Sequence, residues 1–160
     1  MASAAWRKAE LVIVVGVDFS EPSEHALETA CGIARGIERA DIHAVHAATL
    51  APLPSTLDAL VVAPHLDAAT ERRTLDEICA RVGAGQRIVR HVVLASPDHA
   101  IVDVAHEHHA DLVVVGSHEK GALDRLVTGS VVDRIVRTAP CAVLVTKGKK
   151  PLPHASNRAT

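Results

Sequence analysis

Aromatic side chains are nearly missing from this chain: Trp6 and Phe19 stand alone, and there is no Tyr. The core must therefore be aliphatic, and the shortage argues against base-stacking platforms for single-stranded nucleic acid. Charge of one sign is missing too. Lys and Arg total 17 against 19 Asp and Glu, a formal net charge of −2, so no basic footprint for nucleic acid stands out. Cysteine is scarce: Cys31, Cys79 and Cys141 are widely spaced, with no C-x-x-C pair. They read as small buried residues in a reducing compartment. No apolar run reaches the roughly 18 residues that would suggest a membrane span. Residues 1–10 hold no apolar core of signal-peptide length, so the cytoplasm is the expected compartment. What is present, 48% hydrophobic against 22% charged residues in a chain of 160, suits one domain with a substantial core.

The apolar residues fall into alternating patterns. Residues 11–17 are a continuous apolar run that ends at Asp18 and predicts a buried strand. Ser20 then offers an N-cap and Pro22 a first-turn residue. Ala26, Leu27, Ala30, Ile33, Ala34 and Ile37 recur at helical spacing, so a helix is predicted over 21–39. A second strand is predicted at 41–47. Pro52 and Pro54 mark a loop at 49–55, and a short helix is expected at 56–63 before Pro64. Ala68, Leu75, Ile78 and Val82 predict a helix over 67–82, closed by Gly83-Ala84-Gly85. Ile88, Val89, Val92 and Val93 mark a third strand at 86–94. Ser96-Pro97 opens a helix that buries Ile101, Val102 and Ala105.

Residues 112–115 form the fourth apolar run, β-branched at Val113, Val114 and Val115 and ended by Gly116 and Ser117. A polar loop with Gly121 follows. Gly129-Ser130 opens a helix with Val131, Val132, Ile135 and Val136 as its apolar side. Pro140 stops it, and Ala142, Val143, Leu144 and Val145 make a fifth strand. Residues 1–8 and 148–160 read as flexible termini around one domain at 9–147.

The order βαβαβαβαβ predicts an α/β fold: a five-stranded parallel sheet with helices on both faces. Ligands of such sheets sit beyond the carboxyl ends of the strands, where the strand order reverses. If the first and fourth strands flank that point, Asp18 and the loop after Gly116 share one crevice. The helix opened by Gly129-Ser130 would present free N–H groups and its positive dipole end there, a place for a phosphate.

These residues resemble the universal stress proteins, in the subgroup that binds ATP. The resemblance rests on Val17-Asp18-Phe19-Ser20-Glu21 at the first strand end and on Thr138-Ala139-Pro140-Cys141-Ala142-Val143-Leu144-Val145 at the close. Between them lies the family's phosphate motif: Gly, two residues, Gly, nine residues, then Gly and Ser or Thr. Gly116, Gly129 and Ser130 match it with identical overall spacing. The resemblance implies a Rossmann-like fold of the adenine nucleotide alpha hydrolase type. It implies a stress-response regulatory protein that binds ATP, with Mg²⁺ able to accompany the nucleotide and no resident metal of its own.

Asp18 would hold the nucleoside end, Ala47 and Val115 would sit near the adenine, and Gly116, Gly129, Ser130 and Val131 would supply donors to ribose and phosphates. The implied site also includes Gly16, Val17, Ser117, His118, Glu119, Lys120 and Val132. A homodimer paired through the fifth strand is implied as well, together with protein partners and with neither nucleic acid nor membrane. Glu119 departs from the motif, standing where the family has its second glycine. A carboxylate about 4 Å from a phosphate oxygen costs roughly 1 kcal/mol in water and about 4 kcal/mol at an effective dielectric of 20, or about one to three powers of ten in affinity. Lys120 would offset part of this, and Mg²⁺ could take Glu119 as an outer ligand. The alternative reading is a dimeric member that binds no nucleotide and acts through protein partners.

Taken alone, Asp18 could only cap a turn and Ser130 only a helix. His106-Glu107-His108-His109 looks metal-like, since His106 and His109 could share a helix face. Eleven His are scattered along the chain, however, and no partner pair completes four ligands, so no metal site is assigned. An enzyme is not expected. The chain has no G-x-x-x-x-G-K-[ST] phosphate loop and no G-x-S-x-G elbow. His118 is read as a loop contact, which leaves no evident base for ATP hydrolysis; slow turnover stays open.

Overall fold

The apolar runs of the central strands are buried because helices pack on both faces of the sheet. The computed structural model describes residues 11–48, 68–117 and 130–148. In chain order these form β1 (Leu11–Gly16), α1 (Glu21–Ala34), β2 (Ala40–Ala48), α2 (Ala68–Val82), β3 (Arg87–Leu94), α3 (Pro97–Glu107), β4 (Leu112–Ser117), α4 (Ser130–Thr138) and β5 (Ala142–Lys147). The loop and short helix expected between residues 49 and 63 lie outside the described residues, as do most of the expected flexible termini.

The five strands form one sheet in the order β3-β2-β1-β4-β5, and every pairing is parallel. Alternate side chains along each strand point to opposite faces. Ile13, Val15, Ile42, Ala44 and Val114 therefore meet α1 and α2 through Leu27, Ala30, Leu75 and Ile78. Val12, Val14, Val45, Val113 and Val115 meet α3 and α4 through Ile101, Val104 and Ile135. Asp111 ties the centre of the sheet, since its N–H donates to the Val12 carbonyl and its carboxylate accepts the Val12 N–H. The expected five-stranded parallel α/β architecture is the one observed.

Several boundaries differ from expectation. The first helix ends at Ala34, with Arg35 as its C-cap. Ile37 lies beyond it, 39% exposed, and Ile33 is 36% exposed; Gly36 and the bond from the Ile37 N–H to the Ala34 carbonyl turn the chain toward β2. Gly116 and Ser117 do not end the fourth strand. They pair with Thr146 and Lys147 inside β4 and β5. Val136 is not on the buried side of α4, being 53% exposed, whereas Ile135 and Val132 are buried. Cys31 and Cys79 are buried as expected, and desolvation pushes both thiols above their usual range; Cys141 is only half-buried.

Candidate functional site

The strand order reverses at β1, between β2 on one side and β4 on the other. The carboxyl ends of these strands part there and leave a cleft of about 100 Å³. Its floor and walls are Gly16, Val17, Asp18, Ser23, Val45, His46 and Ala47 from the β1 and β2 side, with Val115 and Gly116 from β4. Pro97 and Ile101 of α3 and Val131, Val132 and Ile135 of α4 close the opposite wall. The lining is mostly apolar, and Asp18 is the one carboxylate in it among the described residues. A narrow apolar slot with a carboxylate at its mouth suits a flat heteroaromatic ring joined to a hydroxylated group.

The turn after β1 is over-determined by hydrogen bonds. The Val17 N–H donates to the Val45 carbonyl at 2.9 Å and carries the pairing with β2 one residue past β1. The Asp18 N–H donates to Ser23 Oγ at 3.2 Å, and Ser23 Oγ donates to the Ser20 carbonyl at 2.9 Å. Asp18 Oδ1 accepts from the Ser20 N–H at 3.1 Å and from the Ser20 hydroxyl. Asp18 thus does cap a turn, and it does so while exposed at the mouth of the cleft. Ser20 N-caps α1 through the Ser23 N–H, with Pro22 in the first turn. Phe19 takes a left-handed φ of 64° between them, an uncommon conformation for a bulky residue.

His46 fastens this turn to the rest of the fold. Its Nδ1 donates to the Val17 carbonyl at 2.8 Å, and its ring stacks on Phe19 with centroids 4.0 Å apart. Its Nε2 lies 3.9 Å from Oε1 of the buried Glu71 on α2. With Nδ1 engaged on a carbonyl, His46 is a positioning residue for the wall. On the other side, Arg134 of α4 grips Asp98 in the first turn of α3 with two hydrogen bonds, 2.7 and 3.3 Å. Burial alone would push the Asp98 carboxyl up; bonds from Arg134 and Ser96 outweigh it and hold the group below its ordinary range.

Gly116 is demanded by packing. A Cβ there would collide with the Pro22 carbonyl and come within 2.9 Å of the Ser23 nitrogen, so only glycine lets the start of α1 lie against β4. Of the residues named from sequence, Gly16, Val17, Asp18, Ala47, Val115, Gly116, Val131 and Val132 come together in this cleft. Ser117 continues β4 beyond the lining, and Ser130 opens α4. His118, Glu119, Lys120 and Gly129 lie outside the described residues. Sequence reasoning missed Ser23, Val45, His46, Pro97, Ile101 and Ile135 as lining. The signal was available for two of them: His46 nears the carboxyl end of β2, and Pro97 starts the helix that follows β3.

A sequence profile of the universal stress protein family matches residues 11–147. The chain belongs to the universal stress protein family. A universal stress protein of Methanocaldococcus jannaschii is 28% identical over 141 residues, covering 86% of this chain and 82% of its own. Among solved structures, the universal stress protein UspA from Lactobacillus plantarum is 28% identical, with a TM-score of 0.62 over 84% of this chain and 96% of its own. A universal stress protein solved in complex with cAMP is 26% identical, with a TM-score of 0.64 over 87% of this chain and 98% of its own. In this universal stress protein no helix among the described residues is long and apolar enough to cross a membrane.

Proposed function

We propose that this universal stress protein binds an adenine nucleotide, with ATP as the ligand, and acts as a cytoplasmic stress-response regulator rather than as an enzyme. The observation that carries the reading is the cleft at the reversal of strand order. It is lined by Asp18 from the end of β1, Ala47 from β2, Val115 and Gly116 from β4, and Val131 near the start of α4. The adenine would lie in the apolar slot between Ala47 and Val115. Asp18 would accept hydrogen bonds from the nucleoside hydroxyls, and the opening turn of α4 would face the phosphates with its N–H groups. The relative solved with cAMP supports an adenine nucleotide as the ligand class. Mg²⁺ would accompany the phosphates. Among the described lining residues His46 is engaged on both ring nitrogens, with Nδ1 on the Val17 carbonyl and Nε2 3.9 Å from the buried Glu71 carboxylate, which supports a binding role for the cleft over rapid hydrolysis.

A second reading, a dimeric member that binds no nucleotide and works through protein partners, is favoured by one residue. Glu119 stands three residues after Gly116, where the family's motif carries a glycine. Isothermal titration of ATP with Mg²⁺ into the native chain and into Glu119→Gly separates the two. The first reading expects saturable binding by both, about ten- to a thousand-fold tighter in the variant from relief of like charge. Equal affinity would show that Glu119 does not face the phosphates. Binding by Glu119→Gly alone would establish the second reading.

A further inference from the structure

On the sheet face that packs against α3, and away from the cleft, three imidazoles meet. His43 lies on β2 and His91 on β3; Val89 is opposite His43 in the register, so His91 sits two residues along on the same face. His108 is the C-cap of α3. In a β-α-β crossover the helix runs back antiparallel to its strands, so the C-terminus of α3 returns toward their amino ends, opposite the end that holds the cleft. His43 Nδ1 and His91 Nε2 are 2.9 Å apart, and one ring nitrogen from each of the three residues lies within 4.8 Å of the other two. The rings overlap: His43 and His108 have centroids 4.1 Å apart, and His43 and His91 5.1 Å.

We propose that His43, His91 and His108 form a binding site for a divalent transition-metal ion, of which Zn²⁺ is the representative. Three neutral imidazoles are the ligand set that suits Zn²⁺ and its neighbours, and they leave a fourth position for water or an exogenous ligand. With Zn–N bonds of about 2.0–2.1 Å, tetrahedral geometry sets the nitrogens about 3.3 Å apart. The nearest pair has to open by about 0.4 Å, and the widest separation has to close by no more than about 1.5 Å, movements that ring rotation supplies. His43 is 6% exposed and fixed in the sheet, while His91 and His108 are half-buried and accessible. The last carbonyls of α3 add the negative end of a helix dipole beside the site. Asp41 and Glu107 bring negative charge to its surroundings, and Arg72 and Arg87 bring positive. Burial, followed by the neighbouring His108 and His91, pushes the His43 pKa down to about 4.

The sequence hid this site because its members come from three elements. The helical pair His106 and His109, which spacing suggested, is not the cluster that forms; His108, between them, is the member that joins His43 and His91. Titration of Zn²⁺ into the full chain in chelator-free buffer tests the proposal, with His91→Gln, His108→Gln and the exposed His99→Gln as a control for scattered histidines. The expected result is one ion per chain, held at least ten-fold less tightly by His91→Gln and by His108→Gln and unchanged in His99→Gln. A second readout needs no substitution: substoichiometric Zn²⁺ should shift the ring resonances of His43, His91 and His108 before those of the other histidines. Absence of binding by the native chain, unchanged affinity in both site variants, or ring shifts spread evenly over all histidines would overturn the site and leave the cluster a hydrogen-bonded stack.

Discussion

Gly116 shows how one residue can answer two demands. Motif spacing marks it as part of a phosphate loop, while the structure gives it a packing reason, the backbone of Pro22 and Ser23 pressed against its Cα. Gly116→Ala is therefore expected to cost about 1–3 kcal/mol of stability by overpacking, even without ligand. Urea unfolding of the nucleotide-free protein measures this, and an unchanged midpoint would leave the glycine with a ligand role alone. Asp98 carries a different prediction. Its carboxyl is held below its ordinary value in the fold, so its contribution to stability is complete above the unfolded value of about 3.9 and is lost as pH falls through the lower folded value. Urea midpoints of the native chain should fall more steeply on acidification below about pH 4 than those of Asp98→Asn. Parallel curves would contradict the account. Neither the Arg134 grip on Asp98 nor the His46 bond to Val17 was legible in the sequence, because each joins residues tens of positions apart whose meeting depends on the sheet.

Among the elements, strands were read more accurately than helix ends. Short β-branched runs bounded by glycine, proline and polar turns favour strands over helices, and each of the five appeared within two residues of its expected span. The first helix was read too long because Ile33 and Ile37 continue its spacing; both are substantially exposed, and the chain leaves the helix after Ala34 to reach β2. Among the described residues the strand β5 has a neighbour on one side only, and Val145 on it is exposed. An apolar edge strand invites pairing unless it is covered, and a second copy of the same strand is the occupant proposed for it. Light scattering at micromolar concentration should report a dimer, and Val145→Lys should shift it toward monomer. A monomeric native protein would remove the dimer from the account.

For the whole molecule, the sequence already carried the order of elements, hence the parallel sheet and the crevice at its reversal. Asp18 and Gly116 could be placed together because they lie at the carboxyl ends of apolar runs that flank that reversal. The opposite wall was less legible: Pro97, Ile101 and Ile135 reach the cleft only through the packing of α3 and α4 on the sheet. The central claim, that this cleft holds an adenine nucleotide, is tested most directly by isothermal titration of ATP with Mg²⁺ into the native chain and into Ala47→Trp, whose indole would fill the adenine slot, with circular dichroism to verify that the variant folds. The account predicts one saturable site per chain in the native protein and its loss in the variant. No saturable heat in the native protein, or equal binding by a folded Ala47→Trp, would contradict it.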